Sequence, residues 1–96
     1  MNIIFAIYYK GICQYIGYTC DLKRRLRQFK NKNFYENKIL KKDASEEFIH
    51  FLEFYHEHFN HCKILTIEKD LELSECILLK NDYIKTFKPI YNKLDS

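Results

Sequence analysis

The sequence AIYYKGICQYIGYTCDLKRRLRQF spans residues 6–29 and decides the fold of this chain. Two segments rich in isoleucine and tyrosine, 3–10 and 12–18, favour β-strands, and the Lys10-Gly11 pair between them is typical of a turn. A basic segment with apolar residues at helical spacing follows directly. The stretch therefore predicts a β-hairpin that leads into a helix.

The hairpin register predicts which side chains share a face of the sheet. A connection of two or four residues places Tyr8 opposite Cys13 and makes Tyr15 a diagonal neighbour on the same face. Gly17 also lies on this face, so small residues leave space around two phenol hydroxyls. We expect the more apolar opposite face to meet the core, although a slip of one residue would reverse the assignment.

The helix after the hairpin carries all three arginines of the chain. Its apolar residues recur at positions i, i+4 and i+7, starting from Leu22. On the helical wheel Arg24 and Arg27 point away from this stripe, whereas Arg25 lies at its edge. We therefore expect Arg25 to reach inward. Either the threonine at position 19 or the aspartate at position 21 is expected to cap the helix.

The rest of the chain predicts further helices and a third strand. Segment 30–42 is basic and polar with a weak helical signal over 34–40, which favours a connection. Asp43 and Glu46 resemble a capping box before an amphipathic helix that includes Phe48 and Leu52, and residues 62–67 alternate as a strand does. The sequence thus predicts one domain, 1–96, of the α/β (α+β) class, with a three-stranded antiparallel sheet flanked by helices in the order β-β-α-(α)-β-α.

The last predicted helix spans 71–87 and ends because Pro89 pushes Lys88 out of helical geometry. Its apolar residues spread over several faces, so we expect it to be largely buried. Glu75 falls among these apolar residues. A carboxylate in such surroundings requires a cation, a metal ion or a proton.

The charge of the chain is unevenly distributed. Residues 1–42 carry ten Lys/Arg and two acids, a net charge of +8, whereas the remainder carries six Lys and eleven acids, a net charge of −5. This asymmetry indicates a basic face for a polyanion or simply a solvated surface. With four cysteines in no CxxC pair, no secretory leader and no apolar run of about 20 residues, we expect a soluble intracellular protein.

At several points along its whole length the sequence resembles the GIY-YIG nuclease superfamily. Ala6-Ile7-Tyr8 stands where the family has Gly-Ile-Tyr, and Tyr15-Ile16-Gly17 matches the second half of the family name. DLKRRL at 21–26 and SECILLKNDYIKTFKPIYN at 74–92 are similar to the family's arginine helix and glutamate helix, and the second is closest in pattern to the nuclease domain of the bacterial excinuclease incision subunit.

The resemblance implies a metal-dependent DNA endonuclease with one Mg²⁺ or Mn²⁺ in its active site. It places the metal ligand on Glu75 and the phosphate-neutralising guanidinium on Arg25. Tyr8 becomes the general base or water-orienting group, and Tyr15 positions the nucleophile or the phosphate. Supporting roles fall on Gly17 and Asn92. A departure is Phe29, which stands where relatives often carry a His or Tyr near the scissile phosphate.

Other interpretations of these residues remain open. Taken singly, the tyrosines fit core packing, the arginine fits a snorkelling side chain and the glutamate fits a pair with a lysine.

We expect DNA contacts from the basic residues Lys23, Arg24, Arg27, Lys30 and Lys32. Target choice, in repair or recombination, would come from this face, a protein partner or a homo-oligomer. The alternative function is a nucleic-acid-binding module that keeps the fold without activity, and Glu75 distinguishes the two.

Overall fold

The computed structural model describes residues 1–42 and 44–92. The described chain forms, in order, β1 (Asn2–Tyr9), β2 (Ile12–Thr19), α1 (Leu22–Lys30), α2 (Lys32–Lys41), α3 (Glu46–His58), β3 (Cys62–Leu71) and α4 (Leu73–Phe87). A turn of 3-10 helix over residues 59–61 joins α3 to β3. None of the helices in these described ranges is long and apolar enough to cross a membrane.

The three strands form an antiparallel sheet in the order β2-β1-β3. The central strand β1 is buried on both faces over residues 4–7, which explains why its sequence is an almost continuous apolar run. One face packs on α4, and the other packs on α1 and α3. The predicted fold class is therefore confirmed.

A β-bulge in β2 corrects the predicted assignment of faces. Tyr8 does pair with Cys13, as expected, but the next pair joins Ile7 to Tyr15, so Gln14 is an extra residue. One extra residue moves every side chain beyond it to the other face of the sheet. Tyr15 therefore packs with Ile7 on the side of α1 and α3, whereas Tyr8 packs on the side of α4. The prediction that both tyrosines share one face is wrong.

One helix cap agrees with the prediction from the sequence, and another lies at a different residue. Asp21 caps α1, because its carboxylate accepts a hydrogen bond from the Arg24 amide at 3.1 Å. Ser45 caps α3, its hydroxyl accepting from the Phe48 amide at 3.2 Å, so the helix begins later than the predicted capping box requires. The predicted cap at Asp43 lies outside the described residues.

Segment 32–41 forms the complete helix α2, where the sequence favoured only a connection. Its cap is Asn31, whose side chain accepts a hydrogen bond from the Asn33 amide at 2.8 Å. None of the residues of α2 is fully buried. The sequence signal is weak because this helix has no pronounced apolar face.

The last helix is more exposed than its composition suggests. In α4 only Cys76 and Ile84 are fully buried, while the exposed fractions of Leu73 and Leu78 are 54% and 69%. The prediction of a largely buried helix is therefore wrong. Its predicted end is confirmed, since Lys88 follows the helix in a left-handed conformation.

The chain after α4 returns to the free edge of β2. The Tyr91 amide donates to the Gln14 carbonyl at 2.9 Å. The Asn92 side chain then bonds the Ile16 backbone twice: its Oδ1 accepts from the amide at 2.7 Å and its Nδ2 donates to the carbonyl at 2.9 Å. These bonds satisfy polar groups that an edge strand would otherwise leave unpaired.

Candidate functional site

A small pocket lies beside α1, where that helix approaches the edge strand β2. We name it the Arg25 pocket, and its volume is about 200 Å³. Its walls come from β1, β2, α1, α3, α4 and the segment after α4. The residues that line it are Phe5, Tyr15, Ile16, Gly17, Tyr18, Arg25, Phe29, Phe48, Lys80 and Asn92.

Tyr15 is fixed in the pocket by aromatic packing. Its ring stacks on Phe51 with a centroid distance of 4.3 Å and an interplanar angle of 16°. Gly17 makes room for this ring, because a Cβ there would lie 2.8 Å from Tyr15 Cε2 and 2.9 Å from Phe5 Cζ. Burial raises the pKa of Tyr15 to about 12, although the nearby Arg25 acts in the opposite direction. At neutral pH this phenol is a hydrogen-bond donor and not a base.

Arg25 reaches inward from α1. It is half-buried, whereas its neighbours Arg24 and Arg27 are exposed, which confirms the orientation expected from the helical wheel. The same helix buries Phe29 completely against the sheet and α3. This anchoring fixes the face that α1 turns toward the pocket.

Lys80 is a second cation in the pocket, and it is not among the site residues predicted from the sequence. Its Nζ lies 5.4 Å from the centroid of the Tyr18 ring, a cation–π distance. A signal was present in the sequence, because Lys80 stands four residues after Cys76 and four before Ile84, the two buried residues of α4. Positions i, i+4 and i+8 share one side of a helix.

Glu75 is exposed and is not among the residues that line the Arg25 pocket. It precedes Lys80 by five residues, which separates the two by about 140° around the helix. The expectation that Glu75 lies in apolar surroundings is therefore wrong. The carboxylate has no need of a metal ion or a proton to compensate for burial.

Tyr8 lies in a different place from Tyr15. It lines a cavity beside the hairpin turn, together with Lys10, His61 and Lys63. Burial raises the pKa of the Tyr8 phenol, and the neighbouring Cys13 raises it further. The residue of β1 that lines the Arg25 pocket is Phe5, which has no hydroxyl.

The structure thus divides the predicted site residues into two groups. Tyr15, Gly17, Arg25 and Asn92 line one pocket. Tyr8 and Glu75 do not line it. The predicted nucleic-acid contacts are all exposed, and they lie on α1 and at the start of α2: Lys23, Arg24, Arg27, Lys30 and Lys32.

The Arg25 pocket does not fit a divalent metal ion. None of the described residues that line it is acidic, although Mg²⁺ and Mn²⁺ prefer oxygen ligands, carboxylates above all. The Asn92 side chain already bonds the Ile16 backbone through both of its polar atoms. Over residues 1–42 and 44–92, no three His, Cys, Asp or Glu side chains are grouped to hold a metal ion. Two cationic side chains at one pocket favour an anion.

Comparison with known proteins identifies the family. The family model described as the GIY-YIG catalytic domain matches residues 1–94. This chain belongs to the GIY-YIG family, whose members are nucleases. A search of curated proteins finds no matching sequence.

Among solved structures, the fold is similar to the N-terminal GIY-YIG endonuclease domain of UvrC from Thermotoga maritima. The structure of that domain bound to its catalytic divalent cation, magnesium, has a TM-score of 0.59 and 22% sequence identity, and the match covers 96% of this chain and 83% of that chain. A point mutant of the same domain, also bound to its catalytic divalent cation, has a TM-score of 0.59 and 22% sequence identity. This match covers 97% of this chain and 83% of that chain. These likenesses establish the shared fold.

Proposed function

We propose that this chain binds the phosphate backbone of DNA through the Arg25 pocket and the basic surface of α1, without cleaving it. The observation that carries the proposal is the pairing of Arg25 and Lys80 in one pocket where none of the described residues is acidic. Phosphate groups bind at such positions because cationic side chains form short, charge-assisted hydrogen bonds to their oxygens. The exposed cations from Lys23 to Lys32 extend the positive surface along α1 and into α2.

Two observations count against hydrolysis in the pocket. Glu75, the expected metal ligand, is exposed outside it. The one phenol with a strongly raised pKa there, Tyr15, keeps its proton at neutral pH. What remains is charge neutralisation of a phosphate, which supports binding.

A second candidate function is metal-dependent DNA cleavage. Membership of the GIY-YIG family favours it, and the similar UvrC domain binds a catalytic divalent cation. In this case Glu75 would hold Mg²⁺ or Mn²⁺ and Arg25 would neutralise the transition state. DNA binding would then have to bring the metal at Glu75 to the phosphate at Arg25.

Two assays on the same purified protein distinguish these functions. The first measures binding to a fluorescently labelled DNA duplex with and without a metal chelator, and the second measures nicking of supercoiled plasmid with Mg²⁺ or Mn²⁺. We expect binding that the chelator leaves unchanged and no nicking. Arg25→Gln should weaken binding about tenfold or more, since a hydrogen bond to a charged group contributes about 1.5–3 kcal/mol.

The matched pair for the nicking assay is Glu75→Gln and Asp82→Asn, both at exposed acids of α4. Metal-dependent nicking that Glu75→Gln abolishes and Asp82→Asn preserves would establish the endonuclease instead. Failure of the wild-type protein to bind any DNA would reject both functions.

A further inference from the structure

The Arg25 pocket is a recess with walls on several sides. Six separate parts of the chain contribute to its lining, from β1 to residue 92. Its volume of about 200 Å³ is equivalent to roughly six or seven water molecules of about 30 Å³ each. A phosphate group with part of its hydration shell fits in this space, whereas drug-sized ligands occupy pockets of about 300 Å³ or more.

The charge of the recess exceeds that of one backbone phosphate. Arg25 and Lys80 are both half-buried in its wall, and its described lining contains no carboxylate. A phosphodiester inside a strand carries one negative charge, but a terminal phosphate monoester carries between about −1.5 and −2 at neutral pH, because its second pKa is about 6. The two positive charges of Arg25 and Lys80 therefore balance the charge of a terminal phosphate monoester.

A cavity beside the recess can hold the nucleotide next to a terminal phosphate. A phosphate inside a strand needs an exit for a nucleotide on each side, whereas a terminal phosphate needs only one. A neighbouring cavity of about 360 Å³ shares Tyr15, Phe48 and Asn92 with the recess and is further lined by Tyr91. It provides aromatic surface on which one adjoining base can stack.

We propose that the Arg25 pocket binds the terminal phosphate of a nucleic-acid strand, with Arg25 and Lys80 neutralising its two charges. This inference rests on the proposed function, because it names which phosphate the pocket takes. The Tyr15 hydroxyl, protonated at neutral pH, donates a further hydrogen bond to the phosphate oxygens. No metal ion takes part.

The test uses one single-stranded oligonucleotide in three forms, with a 5′-phosphate, a 3′-phosphate or hydroxyls at both ends. The label is internal, and affinity is measured by fluorescence anisotropy. We expect at least one phosphorylated form to bind about tenfold more tightly than the hydroxyl form. Lys80→Gln should remove this preference, and Lys85→Gln, at an exposed lysine of the same helix, should retain it.

Lowering the pH supplies a second readout. At about pH 5 the monoester carries a single charge, so the preference for the phosphorylated form should shrink. The ratio of the two affinities is compared within one protein, which cancels effects of folding and of other titrating groups.

The outcomes separate this inference from the proposed function. Equal affinity for phosphorylated and hydroxyl forms would overturn the inference while the DNA binding itself still stood. A preference that survives Lys80→Gln would also overturn it, because the phosphate would then bind elsewhere. Competition by free inorganic phosphate as strong as that by the oligonucleotide would identify a small phosphate ligand and overturn it too. Absence of binding to every form would reject the proposed function as well.

Discussion

The charge of one side chain determines which ions the Arg25 pocket attracts. Lys80 stands on the pocket side of α4, between two turns that carry buried residues. Its ammonium group adds to the guanidinium of Arg25, so the site repels a divalent cation and attracts a phosphate. A carboxylate at the same position would cancel the charge of Arg25 and supply an oxygen ligand for a metal ion.

The first prediction is that Lys80→Glu creates a metal site. The substitution places an oxygen ligand beside a pocket that already contains phenol and backbone groups, and Mn²⁺ favours oxygen ligands. Isothermal titration should detect Mn²⁺ binding to the variant and none to the wild-type protein. Lys85→Glu adds the same charge outside the pocket, so equal Mn²⁺ binding by both variants would contradict the prediction.

The second prediction concerns the two glycines, which are required for different reasons. Gly17→Ala places a Cβ 2.8 Å from Tyr15 and 2.9 Å from Phe5, and overpacking of this kind costs about 1–3 kcal/mol. Gly11→Ala meets no atom, but the backbone there has φ +78°, which costs an L-residue roughly 1–2 kcal/mol. Only Gly17→Ala should move the ring of Tyr15. Near-ultraviolet circular dichroism of both variants reports the movement of the ring, and urea unfolding measures the loss of stability. An unchanged aromatic spectrum in Gly17→Ala would contradict the prediction.

The third prediction is a loss of stability at alkaline pH. The pKa of Tyr15 is raised from 10.0 to about 12 in the folded protein, so the unfolded chain loses this proton first. The free energy of unfolding should therefore fall as the pH rises from about 10 to about 12. In Tyr15→Phe the fall should be smaller. Urea unfolding at several pH values measures the slope, and identical slopes in the two proteins would contradict the prediction.

At the scale of the elements, the hairpin illustrates how far local sequence determines structure. Its two strands, its turn and the Asp21 cap follow from residue types that favour these conformations. The bulge at Gln14 does not, because it depends on how Tyr15 packs against α3 and on how the segment after α4 covers the edge of β2. The alternation of side chains along a strand does not show where a bulge inserts one extra residue.

The Arg25 pocket is only partly predictable from the sequence, because part of it depends on tertiary packing. Arg25 was identified because its own helix defines an inward side. Phe5 could not be identified, since its position in the pocket depends on the bulge, whereas Lys80 could be, because it shares one side of α4 with Cys76 and Ile84. The sequence predicts apolar surroundings for Glu75 because exposed leucines of α4 resemble core residues in sequence.

The fourth prediction is that α2 opens independently of the rest of the fold. None of its residues is fully buried, whereas β1 is buried over residues 4–7 and paired on both sides. Helices with little buried surface open with low free energy. Native-state hydrogen exchange should therefore find fast exchange over 35–41 and the slowest exchange in β1. Equal protection of the two elements would show that α2 is part of the cooperative core.

At the scale of the whole molecule, the excess positive charge is concentrated in α1 and α2. This surface flanks the Arg25 pocket, because α1 contributes to both. Exposed cations of this kind bind phosphates by releasing counterions, and each contact adds about 0.7 to the slope of binding against salt on single strands and about 0.9 on duplex DNA.

The fifth prediction uses this slope. The double variant Arg24→Gln, Arg27→Gln removes two exposed charges, so the slope of log affinity against log salt should fall by about 1.4–1.8. Lys69→Gln, at an exposed position of β3, serves as the control and should leave the slope unchanged. A double variant with the wild-type slope would place the DNA on another surface.

The hydrogen bonds between Asn92 and Ile16 join residues 76 positions apart. During synthesis on a ribosome, β2 therefore emerges long before the residue that completes its edge. Until then the nascent hairpin exposes a strand edge that can pair with other chains. Completion of the pocket is consequently a late event in the folding of each newly made molecule.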